Sequence, residues 1–149
     1  MMYQIKRTQL VKTDLETCWK FFSAPENLQK ITPGYMKFRV LTETPAEIYE
    51  GLIIAYKISP VMHIPLSWVT EITVVEDQRY FVDEQRQGPY KMWHHEHHFK
   101  AVEGGVEMTD IVSYSLPFGI LGKLAHRLFV RKQLEGIFDY RFQEVEKRF

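Results

Sequence analysis

Apolar residues recur along the chain with two periods, and the switches between them divide it into three stretches. In the first, Tyr3, Ile5 and Leu10 alternate with polar residues well enough to predict a strand over Met2 to Val11. Thr13 or Asp14 is placed to cap a following helix, in which Leu15, Cys18, Trp19 and Phe22 fall at helical spacing. Ser23-Ala24-Pro25-Glu26 breaks that helix and opens a second short one through Leu28 and Ile31, closed by Thr32-Pro33-Gly34.

From Met36 the period drops to two. Met36, Phe38 and Val40 alternate, Ile48 to Ile58 forms a long apolar run, and Leu66, Trp68, Thr70, Ile72 and Val74 alternate again. The stretch with the most chemistry is Phe81 to Phe99, FVDEQRQGPYKMWHHEHHF, which holds four of the six histidines. Phe81, Asp83 and Gln85 on one arm and Trp93, His95, His97 and Phe99 on the other flank Gly88-Pro89, a turn signal, so a β-hairpin is predicted. Centring the turn on Pro89 sets Gln85 opposite Trp93, Asp83 opposite His95 and Phe81 opposite His97 on one face. The other face of the second arm carries Met92, His94, Glu96, His98 and Lys100, so the first is expected to be interior. After the Glu103-Gly104-Gly105 turn, Met108, Asp110, Val112, Tyr114 and Leu116 alternate. A tight turn there would put Phe99 opposite Asp110 and His97 opposite Val112, making Asp110 a second interior carboxylate.

Past Pro117-Phe118-Gly119 the helical period returns, and no proline interrupts Ile120 to Glu146. Leu121, Leu124, Leu128, Phe138, Phe142 and Val145 are expected on one broad face, widened by Ile120, Val130, Leu134 and Ile137. Gly136 mid-helix implies either close packing on the sheet or room for a ligand. Lys123, His126, Arg127, Arg131 and Lys132 read as the solvated side.

Composition narrows the function classes. The 149 residues suit one domain, residues 1–149, with no repeat or linker. Nineteen basic and 19 acidic residues cancel, which points to neither nucleic acid nor an anionic surface as partner. Cys18 alone excludes an internal disulfide framework and reads as a small buried hydrophobe. The start lacks the apolar core of a signal peptide and no window approaches the ~18 apolar residues of a membrane span, so a cytoplasmic location without stable membrane insertion is expected.

Strand, two short helices, a run of antiparallel strands and one long C-terminal helix is an order that resembles the helix-grip fold of the START, pollen-allergen and polyketide-cyclase (SRPBCC) superfamily. Phe81-Val82-Asp83-Glu84-Gln85, Gly88-Pro89-Tyr90, Trp93, His95, His97 and Phe99, then Asp110, Tyr114, Leu116-Pro117, Gly119, Leu121-Gly122 and Phe138-Asp139-Tyr140-Arg141 are similar to a bacterial ligand-binding branch of it. The resemblance implies an α+β domain in which a curved antiparallel sheet wraps the terminal helix and leaves a hydrophobic small-molecule cavity. For some relatives it implies cyclase, hydratase or lipid-carrier roles.

Three readings compete for Asp83, His95, His97 and Asp110. In the first they form a satisfied hydrogen-bond network, Asp83 with His95, beside an apolar ligand held among Trp68, Phe81, Trp93, Phe99, Tyr114 and Phe138. In the second His95 is a general acid or base, Asp83 its orienting partner, and Gln85 or His97 a donor to a developing oxyanion. In the third His95, His97 and Asp83 or Asp110 hold a metal. The run His94-His95-Glu96-His97-His98 cannot act as one chelate, because a strand sends alternate residues to opposite faces. The expectation is therefore a ligand-binding set of Trp68, Phe81, Asp83, Gln85, Trp93, His95, His97, Phe99, Asp110, Tyr114, Phe138 and Arg141, with His95 and Asp83 as catalytic candidates and no metal or cofactor. Arg141 is expected to pair with Asp110 or to anchor a ligand carboxylate. His63 and His126 are read as incidental, and Pro60 to Pro65 with Pro117 to Leu121 as the candidate apolar entrance.

Overall fold

The computed structural model describes residues 1–149. Tyr3–Val11 is a strand, β1, whose inner positions end in Gln9 and Val11. Leu10 is out of phase with Tyr3 and Ile5 and faces solvent, while the buried Gln9 amide donates to the Phe142 carbonyl at 2.9 Å. Asp14 caps α1 (Leu15–Phe22), its Oδ1 accepting from the Thr17 backbone N–H at 2.8 Å, which satisfies one orphan donor of the first turn. Two 3-10 turns follow, Pro25–Ile31 and Gly34–Met36.

Six more strands complete a single antiparallel sheet: β2 (Arg39–Val40), β3 (Ile53–Ile58), β4 (Leu66–Glu76), β5 (Tyr80–Gln87), β6 (Met92–Val102) and β7 (Gly105–Ser115). Their order is β1-β7-β6-β5-β4-β3-β2, so β2 and β1 are the edges and the histidine strand β6 lies between β5 and β7. Two expected strands shrink. Met36 lies in a 3-10 turn and Lys37 is left-handed (φ 48°), so only Arg39–Val40 pairs, although Met36 and Phe38 are still buried. In the Ile48 to Ile58 run, a turn at Tyr49–Leu52 delays the ladder to Ile53. Irregularities in β4 between Val69 and Thr70 and between Ile72 and Val74 turn Val75, not Val74, onto the core beside Phe81.

The β6–β7 turn closes one residue earlier than expected, with Val102 opposite Gly105. Gly104 supplies a positive φ of 87°, and a Cβ on Gly105 would strike the Val11 carbonyl of β1. The pairing is therefore displaced by two: His97 faces Asp110, His95 faces Val112 and Phe99 faces Met108. A shift of two keeps every side chain on its expected face.

After the sheet come α2 (Gly119–Ala125), a π turn (His126–Val130) and α3 (Arg131–Arg148). The buried row is Gly122, His126, Val130, Leu134, Phe138, Arg141 and Val145. Leu121, Leu124, Leu128 and Phe142, expected inside, are exposed, as is Ile120. The wide π turn takes up the phase drift of an i, i+4 row and holds a different face toward the sheet from the one a uniform 3.6 period predicts. Gly136 is not packed on the sheet: it is exposed in an open groove with Tyr35 and Tyr140, outside the main cavity, with nothing within 4 Å of a Cβ position. Arg7 ties α3 to β1 through Asp139 at 2.6 Å.

The core has three parts, one of them Met36, Phe38, Ile58 and Trp68. Trp19 packs edge-on against Phe81 and Phe99 under α1, with Cys18, Val106 and Met108. Under α3, Val112, Tyr114, Val130, Leu134 and Phe138 form the third. A cavity opens between these clusters and the aromatic residues of β3 and β4.

Candidate ligand cavity and its polar end

Asp83 on β5 faces His95 on β6, and His97 faces Phe81 on one side and Asp110 of β7 on the other. The hydrogen bonds do not follow the expected Asp83 to His95 pairing. His97 Nε2 donates to Asp83 Oδ2 at 2.6 Å, and His95 Nε2 donates to Asp110 Oδ1 at 2.8 Å. Both carboxylates lie below the ordinary carboxylate range, so they accept and the ring nitrogens must donate. Burial alone would raise both. For Asp83 the bond from His97 and the charges of His95, His97 and Arg141 outweigh it; for Asp110 the Arg141 guanidinium and the His95 bond do so. Arg141 Nη2 stands 3.3 Å from Asp110 Oδ1, the reach back from the helix that the sequence suggested.

The two imidazoles stack at 3.7 Å, and Phe81 stacks on His97 at 4.0 Å. Burial, reinforced by His95, pushes His97 down to about 4 against the opposing pull of Asp83 and Asp110. His97 is thus neutral near pH 7, with its proton on Nε2. Its Nδ1 is buried with no hydrogen-bond partner, 3.4 Å from Asp110 Oδ1, and His95 Nδ1 is 3.8 Å from Asp83 Oδ2. Each imidazole therefore lies between both carboxylates. Two carboxylates and one guanidinium leave one formal negative charge beside the two rings.

A metal is the other chemistry this set invites, since Asp83, His95 and His97 each bring one donor atom within 4.8 Å of the others. The rings are only 24° from parallel, so their nitrogen lone pairs run side by side. That suits hydrogen bonds to two separate carboxylates better than convergence on one ion.

This cluster closes the polar end of a cavity of about 370 Å³, of whose 36 lining residues 25 are hydrophobic. The volume and the apolar lining are those of a small-molecule site. Of the residues singled out from the sequence, Trp68, Phe81, Asp83, Trp93, His95, His97, Phe138 and Arg141 line it. Four do not. Gln85 is occupied across the hairpin turn, donating to the Tyr90 carbonyl at 2.7 Å and accepting from its N–H at 3.0 Å. These bonds hold the amide against the turn rather than in the cavity lining, and the β5–β6 ladder ends at Glu84 and His94 before Gln85 could pair with Trp93. Phe99 belongs to the Trp19 core, Asp110 sits behind His95, and the Tyr114 hydroxyl shares a 2.7 Å hydrogen bond with His126 Nε2.

His126 is accordingly not incidental. It is buried, stacked on Tyr3 at 3.5 Å, and lowered by burial and then by the Arg131 charge. His63 is exposed. Sequence reasoning missed Tyr56 and Tyr90, which join Trp68 and Trp93 in an aromatic wall: Trp68 meets Trp93 edge-on at 5.3 Å and Tyr90 at 5.6 Å, and stacks on Tyr56 at 6.0 Å. Burial pushes both phenols up, so they stay neutral. The period-two signal for Tyr56 was available, but the Ile48 to Ile58 run gave no clue to its face. Tyr90 lies in a turn, where no period applies. Two buried donors, Trp68 Nε1 and Arg141 Nε, have no protein partner although both residues line the cavity.

Residues 11–146 match the family described as polyketide cyclase / dehydrase and lipid transport. The chain belongs to that family. No curated protein matches it in sequence. Solved structures of the same fold include the major latex-like protein 151 of Panax ginseng, with a TM-score of 0.70 at 11% identity over 99% of this chain and 97% of that one. A Thermus thermophilus protein, TTHA0849, gives 0.69 at 16% identity over 98% and 96%. A point mutant of Thalictrum norcoclaurine synthase in complex with a transition-state analogue gives 0.67 at 13% over 99% and 96%. At these identities the likeness is one of fold: like them, this family member is a helix-grip protein. No helix in it is long and apolar enough to cross a membrane.

Proposed function

We propose that the protein binds a hydrophobic, ring-containing small molecule that bears an oxygen acceptor at one end. The supporting observation is the division of one cavity into an aromatic wall of Tyr56, Trp68, Tyr90 and Trp93 and a polar end of Asp83, His95, His97 and Arg141. An apolar body would fill the first part by shape and dispersion, while a carbonyl, hydroxyl or carboxylate would lie at the polar end. Lipid-, polyketide- and isoprenoid-like molecules share that chemistry. Native mass spectrometry of protein purified gently from its own host tests this directly, because a co-purified molecule would name the ligand class. In parallel, 1-anilinonaphthalene-8-sulfonate should quench the tryptophan fluorescence, and Ile137→Trp, which puts an indole into the cavity, should weaken it at least tenfold. Unchanged binding to that variant would place the probe elsewhere and count against the cavity.

The second reading is a cofactor-free cyclase- or lyase-type reaction, favoured by the two carboxylate-bonded imidazoles at the wall of an apolar cavity. His95 would be the general acid or base. Asp110 rather than Asp83 is its orienting partner, and Asp83 orients His97. His95→Gln separates the two readings: the retained molecule should still bind, and any turnover of it should be lost.

A further inference from the structure

The cavity accounts for the buried aromatics but not for a second apolar set that the fold leaves outside. Phe118 and Ile120 are each 82% exposed and Leu121 70%, and Leu124 and Leu128 continue the row along α2 and the π turn with half or more of their surface in solvent. Across from them the β3–β4 loop presents Met62 at 84% exposure. Isolated exposed hydrophobes are ordinary, but a contiguous row on one helix is not. Gln133 Nε2 donates to the Pro60 carbonyl at 2.7 Å and so joins helix to loop. Val61 and Phe129 are both part-exposed and part of the cavity wall, which puts the cavity opening beside this face.

We propose that the face formed by Phe118, α2 and the π turn docks on an anionic lipid bilayer. Charge selects this occupant. Residues 111–134 contain no Asp or Glu, and neither do residues 51–70 on the facing β3–β4 side. Among the cations interleaved with the apolar row, Arg131 is engaged by Glu135 at 3.2 Å, while Lys123, Arg127 and Lys132 pair with no carboxylate. A chain of zero net charge thus places uncompensated positive charge and exposed Phe, Ile and Leu on the same helical surface, the combination an interfacial helix presents to acidic headgroups. No spanning helix exists, so the association is peripheral. This inference goes beyond the cavity reading and stands whether or not the cavity takes a ligand.

The test is flotation of the full chain with vesicles of phosphatidylcholine alone and with roughly one-third phosphatidylglycerol added, at low and high salt. Binding to the acidic vesicles that salt weakens, with little to the neutral ones, is expected. Replacing all three cations, Lys123→Gln, Arg127→Gln and Lys132→Gln, should reduce partition roughly a hundredfold, at about fivefold per charge. Ile120→Ser with Leu121→Ser should reduce it at least tenfold. All five positions are exposed, and an unchanged melting temperature will show that each variant is folded. Absence of any preference for acidic vesicles, or undiminished binding by the triple variant, would overturn the proposal. So would a concentration-dependent dimer that the Ile120/Leu121 variant dissolves, because a second copy of the chain would then cover this face.

Discussion

The two halves of the C-terminal helical stretch are both rich in large apolar residues, yet they end in opposite surroundings. In α3, Leu134, Phe138 and Val145 are buried against the sheet and Arg141 reaches through to Asp110. In α2 and the π turn Gly122, His126 and Val130 are the buried residues, and Ile120, Leu121, Leu124 and Leu128 are exposed. A helix row becomes core only where the sheet supplies an apolar surface beneath it. Strand β7 ends at Ser115, and the helix leaves it at Phe118 and Gly119 in left-handed conformations that carry the first turns past the sheet's end. The contrast teaches that apolar content separates neither burial from exposure nor stability from recognition within one helix.

The sharpest way to break the comparison is Arg141→Met. If α3 neutralises a buried carboxylate, removing the guanidinium strands Asp110 and should cost about 3–5 kcal/mol in urea unfolding. A loss below about 1 kcal/mol would mean that the histidines alone compensate Asp110. Phe138→Ala should cost about 3 kcal/mol by the same measurement, since it removes a ring packed with Val112 and Tyr114.

A third measurement follows melting temperature against pH. His97 has a folded value of about 4 against 6.5 in the unfolded chain, so between those values the unfolded chain binds the proton more readily. Stability should be full above pH 6.5 and decline as pH falls toward 4. Losses from Asp83 and Asp110, which are lowered from 3.8, should begin only below that. His97→Gln should make the decline between 6.5 and 4 shallower, leaving the share of His126, which burial also lowers; an unaltered slope would assign it to other groups. The smallest effect is expected from Leu128→Ala, which should stay within about 0.5 kcal/mol of the parent because the side chain already lies in solvent. A cost near that of Phe138→Ala would erase the distinction between the two halves.

Particular residues show how far pattern reading reached. Period two placed Trp93, His95, His97 and Phe99 on the inner face, and the Gly88-Pro89 turn set Phe81 against His97 and Asp83 against His95. It could not say that Asp83 would bond His97 diagonally, because side-chain torsions and the position of Asp110 on a third strand choose among near neighbours. The β6–β7 register was missed by two because Glu103-Gly104-Gly105 permits more than one tight turn, and contact of Gly105 with β1 selects one of them. Phe99 and Tyr114 share the inner face yet miss the cavity, since α1 and the π turn cover them with Trp19 and His126.

What the sequence determined by itself is what depends on local period and turn chemistry: the order of elements, the face that β5, β6 and β7 turn inward, and the presence of two carboxylates, two imidazoles and one guanidinium there. What the tertiary structure alone decided is which of those groups bond, which inner residues border open space rather than core, and which helix row is left to solvent. These depend on where a second element crosses the first. Strand ends, bulges and the π turn set those crossings through contacts between residues far apart in the chain, and no local period records them.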